Sequence, residues 1–235
     1  MLYDLERLYP WSEGLPALLS DYAEEALTVE DYRNLQDYLA STDFYTAPAS
    51  TRYHLCCPCG LMTHTLNVVR AADELIDCSY DAKTNVVGYE TNRCRLIKCA
   101  ILHDLCKVDC YEPETYNYKF YNNLGAHGDS KGTFDWKQGI RYAYNAKMDL
   151  GHGAKSLFVA SEIGINLSAE ETQAIYYHMG DFHNAPETSK VFSQNRLALL
   201  LHLADLYASS ALDLSAEESK AYAEKCLNLN PSIFW

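Results

Sequence analysis

Four histidines, His64, His103, His152 and His178, and two aspartates, Asp104 and Asp205, are the side chains of this sequence best suited to holding a metal. Imidazole nitrogen together with carboxylate oxygen is a ligand set for Mn, Fe, Co, Ni or Zn. Asp104 and Asp205 both fall on apolar helical stripes, where an ionised carboxylate is costly to bury unless it is paired or bound to a metal. A histidine taken singly is ordinarily a satisfied core or surface residue; the six residues taken together answer one another's needs. The adjacent pair His103-Asp104, in the run AILHDLCK, is the sharpest element of the set. Neighbouring residues on a helix diverge in direction, so both can bind only a metal that sits beside that helix.

The order His64, His103-Asp104, His152, His178, Asp205 resembles the HD superfamily of metal-dependent phosphohydrolases, helical bundles with an H…HD…H…H…D pattern, over roughly residues 50 to 210. Supporting runs are APASTRYH ahead of Gly60-Leu61, LGHGAKS around His152, YYHMG around His178 and LLHLAD ending in Asp205, with Lys107 three residues after Asp104. The HD dipeptide is weak by itself and the ordered set is specific. The resemblance implies that His64, His103, Asp104 and Asp205 bind a first metal, and that Asp104 bridges to a second held by His152 and His178. The implied cofactors are one or two divalent ions among Mn, Fe, Co, Ni, Mg and Zn.

Such a centre lowers the pKa of a water held between its cations and sets it in line with a phosphoryl group. Asp104 and Lys107 are then the expected catalytic residues, with Lys107 one turn from the pair and placed to stabilise charge developing on phosphate. Arg52 and His54 precede the first ligand helix, where the similar HD domains of 3′-to-5′ exoribonucleases also place basic residues; with Lys155 they are the expected substrate contacts. Two departures stand out: Met179 where some relatives have a further histidine, and Cys106 where relatives commonly have glycine. His183 and His202 are expected at the surface or behind the ligands. The implied activity is phosphohydrolase or phosphodiesterase action on a nucleotide or short oligonucleotide. The same ordered ligands serve a diiron oxygenase branch resembling myo-inositol oxygenase, and a non-catalytic nucleotide-binding protein is a third class.

The elements that must position these residues read as helices. Apolar residues recur at three and four spacing and extended period-two alternation is scarce, so the expected fold is an all-α helical bundle. A helix is predicted over about 29–40, opened by Thr28 as N-cap, within a helical N-terminal appendage of residues 1–50. The HD domain is placed at 51–235. From Gly60, Leu61, His64, Val68, Ala72 and Leu75 share one face. A second helix, about 91–108, carries His103 and Asp104 on neighbouring stripes, and Ser168 to Glu171 is a capping box that opens the helix bearing His178. The last strong helix, about 195–209, turns Asp205 to the core, and Ser215 to Glu218 caps a short final one. Residues 111–150 dissolve this pattern into an insertion with hairpin character, a candidate cover whose tyrosines suit stacking on a nucleobase.

Composition bounds the partners. A formal net charge of −13 opposes a long, non-specific grip on a phosphate backbone, whereas a small phosphorylated substrate, a nucleotide for instance, can be held where bound cations dominate the field. The longest apolar runs fall far short of the roughly 20 residues of a membrane span, and the N-terminus lacks a basic start followed by an apolar stretch. The chain is therefore expected in the cytoplasm. Its nine cysteines are odd in number and irregular in spacing and read as reduced thiols, the CCxC cluster at Cys56, Cys57 and Cys59 included.

Overall fold

The computed structural model describes residues 5–10, 12–77, 86–180 and 187–229. Helices α1 (Leu15–Ala26) and α2 (Val29–Ala40) lead into α3 (Gly60–Ile76) and α4 (Val86–Leu102). A 3₁₀ turn at Leu105–Lys107 precedes strands β1 (Tyr111–Tyr121), β2 (His127–Asp129) and β3 (Gly132–Tyr144). Then come α5 (His152–Glu162), α6 (Ala169–Tyr177), α7 (Thr188–Gln194), α8 (Arg196–Tyr207), a π-helical turn at Ala208–Leu212 and α9 (Ala216–Leu229).

The all-α expectation is overturned by a three-stranded antiparallel sheet in the order β1-β3-β2. Tyr111 pairs with Tyr144 at its root and Tyr121 with Phe134 near its tip. The stretch YEPETYNYKFY is rich in the aromatic and β-branched residues that suit a pleated surface. Much of β1 is exposed or only half-buried, with tyrosine on both faces, so no apolar face stands out from a polar one. Period-two reasoning therefore gave no more than hairpin character for residues 111–150, the stretch in which all the strands of the described residues lie.

Helix α3 is the axis of the molecule. It packs against α1, α4 and α8, and every residue from Gly60 to Val69 is buried. Its start is moulded by the loop before it: a side chain at Gly60 would stand 2.1 Å from the Leu55 carbonyl oxygen and 2.8 Å from the Ala49 nitrogen. Leu15, Leu19, Leu35 and Leu39 of the first 50 residues are buried in the same cluster as Leu66, Ile97 and Leu201. A smaller cluster joins the root of the sheet to the loop and α9 through Ala49, Leu55, Cys57, Tyr142, Leu214 and Cys226. The expected capping of α2 by Thr28 and the capping box of α6 are both present. Among the described residues no helix is long and apolar enough to cross a membrane.

Candidate metal centre

The six expected ligands come from five places in the helical core, and most sit where a helix starts or stops. His64 is one turn into α3 and 1% exposed. Helix α4 ends at Leu102, so His103 and Asp104 occupy a turn, not the helical stripes expected of them, and Asp104 leads the 3₁₀ turn with φ −112°. This break re-aims the two neighbours, which a continuous helix would hold about 100° apart. His152 is the first residue of α5, His178 follows the last of α6, and Asp205 is carried by α8.

These side chains converge. His64 Nε2 lies 3.3 Å from Asp104 Oδ2, 3.3 Å from Asp205 Oδ1 and 3.4 Å from His103 Nε2. His103 Nε2 is 3.3 Å from Asp104 Oδ2 as well. With metal–nitrogen and metal–oxygen bonds of about 2.0–2.2 Å, neighbouring donors around one ion stand about 3 to 3.5 Å apart. On the other oxygen, Asp104 Oδ1 lies 2.6 Å from His152 Nε2 and 3.9 Å from His178 Nε2. Groups of three donors here, His64 with His103 and Asp104, His103 with His178 and Asp205, and Asp104 with Cys106 and His152, could each hold a metal ion.

The ring orientations fit that use. His103 Nδ1 and His178 Nδ1 each donate to a carbonyl three residues back, Ala100 O and Ile175 O, at 2.7 Å. A carbonyl only accepts, so the proton is fixed on Nδ1 and Nε2 is left as the lone-pair atom. His178 Nε2 and Asp104 Oδ2 are fully buried and have no aligned hydrogen-bond partner, although the Lys107 ammonium stands 2.6 Å from that oxygen. Burial, with the charges of His103 and His152, pushes His178 down to about 3 and keeps it neutral. Against burial, Lys107, His103 and His152 hold the Asp104 carboxyl well below the carboxylate range. Burial likewise disfavours a charged His152, yet Cys106 and Asp104 raise it to about 10.

No family model, curated protein or solved structure matches the chain. The site therefore rests on its own geometry.

The remaining expected residues separate. His54 Nδ1 lies 2.6 Å from Asp213 Oδ2, with its ring 4.7 Å from that of His64. It is tied into the back of the centre. Arg52 is exposed. Lys155 is buried and donates to Cys110 Sγ at 2.7 Å. His202 Nδ1 donates to the His178 carbonyl at 2.7 Å and its ring stacks on Phe192, behind the ligand; His183 lies outside the described residues. The described cysteines are free thiols.

Sequence reasoning missed Asp213, whose Oδ2 lies 2.7 Å from His64 Nδ1 and whose Oδ1 accepts from Asn67 Nδ2 at 2.8 Å. The signal was an acid flanked by two leucines, Leu212 and Leu214, both of them buried. It also missed Ser156, one turn beyond His152, which accepts from Cys106 N at 3.1 Å and donates to the His103 carbonyl. That hydroxyl locks the turn bearing His103 and Asp104 onto α5.

Proposed function

We propose that this chain is a metal-dependent phosphohydrolase or phosphodiesterase of the HD superfamily, acting on a nucleotide or a short oligonucleotide. The observation that carries the reading is the divided use of one carboxylate: Asp104 Oδ2 faces His64 and His103, and Asp104 Oδ1 faces His152 and His178. An oxygen turned to each of two nitrogen clusters is how a carboxylate bridges paired cations. Divalent ions held there supply Lewis acidity and an acidified water.

The chain's own groups supply the rest. Lys107, at 2.6 Å, keeps Asp104 ionised and brings positive charge to the rim of the centre. A cavity of about 130 Å³ opens beside His152, lined by Gly151, Gly153, Ala154, Tyr176, Tyr177 and Gly180. Gly151 caps α5 with no side-chain hydrogen bond, and Gly151 to Ala154 of that helix start line the cavity. An uncapped helix start of this kind favours an anion. At the root of the sheet, four residues after Lys107, Tyr111 has its ring 5.8 Å from that of Tyr144. Aromatic faces so placed suit a base whose phosphate lies at the centre.

The test is release of phosphate or monophosphate under nitrogen by the Mn-loaded protein, across nucleotides, cyclic dinucleotides and short RNA. Turnover of at least one class, absent in Asp104→Ala, is the expected result. Dioxygen consumption by the iron-loaded protein with no phosphate release would move the chain to oxygenase chemistry, and failure to bind any metal in stoichiometric amount would remove the reading altogether.

A further inference from the structure

We infer that Cys106 is a metal ligand of this centre, giving the cation position on the Asp104 Oδ1 side a sulfur donor beside His152 nitrogen and Asp104 oxygen. The inference rests on the reading of Asp104 as a bridge. Ligand atoms of Asp104, Cys106 and His152 lie within 4.8 Å of one another, and Cys106 is 4% exposed. The thiol is held there by the fold: its residue is the middle of the 3₁₀ turn, and its amide is fixed to Ser156 on the helix that His152 begins.

Two further observations single it out. His178 Nε2, fully buried and without a hydrogen-bond partner, lies 3.9 Å from the same Asp104 oxygen that meets His152, so the Asp104 Oδ1 side holds an unused donor nitrogen. The other nearby sulfur is engaged elsewhere. Cys110 Sγ accepts from Lys155 at 2.7 Å and contacts the Cys106 and Val108 carbonyl oxygens at 3.1 Å. Cys106 is thus the thiol left to face the centre.

A thiolate changes what the position prefers. Soft sulfur favours Zn, and borderline ions such as Co and Fe, over Mg and Mn, which want oxygen. On binding, the thiol proton passes to bulk water and the sulfur lone pair forms the metal bond. Asp104, Cys106 and His152 would together offer the ion one oxygen, one sulfur and one nitrogen.

The experiment is anaerobic titration of the chelator-stripped full chain with Co(II), reading metal stoichiometry and the near-ultraviolet thiolate-to-cobalt charge-transfer band. The band is expected in the native protein and in Cys110→Ser, and is expected to be lost in Cys106→Ser and Cys106→Ala while cobalt at the first position is retained. X-ray absorption of the zinc-loaded native chain, which needs no variant, should show a sulfur neighbour at about 2.3 Å. Two bound cobalt ions with no band, or a band that persists in the Cys106 variants, would overturn the assignment and leave the metal centre standing. Failure to bind cobalt at all would overturn both.

Discussion

Asp213 Oδ2 lies 2.7 Å from Nδ1 of His64, on the far side of the ring from the Nε2 that faces Asp104 and Asp205. The two aspartates that flank the π-helical turn therefore grip opposite edges of one imidazole. A carboxylate behind a ligating histidine fixes its tautomer and raises its basicity, and losing it typically costs about 10- to 100-fold in metal affinity or activity. Asp213→Asn is expected to weaken the metal proposed at His64 by about that factor, measured by competition with a coloured chelator. Unchanged affinity would remove Asp213 from the metal's support.

Asp104 and Lys107 touch, yet their removal should have different consequences. Asp104→Ala takes an oxygen from both donor groups and is expected to abolish binding at both positions and activity with it. Lys107→Ala leaves every proposed ligand in place, so metal content should stay near native while turnover falls by about two orders of magnitude, the scale of one lost charge-stabilising group. Metal analysis of the two purified variants decides it. Equal metal loss in both would make Lys107 a support of the ligand cluster.

Much of this was legible because it is local. Thr28, Ser168 and Glu171 announce helix starts by short-range hydrogen bonds, and His64 falls on the apolar stripe of a helix buried all round. What escaped depends on distant partners. Nothing in LHDLCKV stops a helix, yet α4 ends at Leu102, where the next turn is bound instead to Ser156 of α5. Asp213 reaches His64 only because a π-helical turn follows Asp205, and that turn leaves no periodic trace in sequence. Tyr116, Tyr118 and Phe120 alternate with polar residues in β1, but tyrosine on both faces hides the pleat.

Gly153 sits where α5 crosses α6. A side chain there would stand 2.4 Å from the Tyr176 carbonyl oxygen and 2.7 Å from that of Ile175, both backbone atoms that cannot swing aside. Gly153→Ala must push the two helices apart, moving His152 away from His178. The expected outcome is a loss of about 1–3 kcal/mol in stability together with the metal bound on the Asp104 Oδ1 side. Thermal unfolding and metal stoichiometry of the variant would show it; a fully loaded variant of native stability would mean that the helix contact does not set the site.

The buried charges also give the metal-stripped protein a defined pH profile. Despite burial, Cys106 and Asp104 raise His152 to about 10 from an unfolded value of 6.5, and Asp213, Asp104 and Asp205 raise His64. A raised histidine stabilises the fold fully below its unfolded pKa, and that contribution disappears as pH climbs through the folded value. His178, lowered by burial to about 3, and Asp205, which against burial His64 holds below its ordinary range, act on the acid side. Between about 3 and 6.5 the unfolded chain takes up the proton that native His178 refuses, so stability rises with pH there. In chelator, the unfolding midpoint should therefore peak near the unfolded histidine value and decline towards about pH 10. Saturating metal should flatten the alkaline decline, because a ligating imidazole nitrogen holds no proton. A midpoint that keeps rising through the alkaline range in chelator would show that Asp104 and Cys106 do not hold a proton on His152.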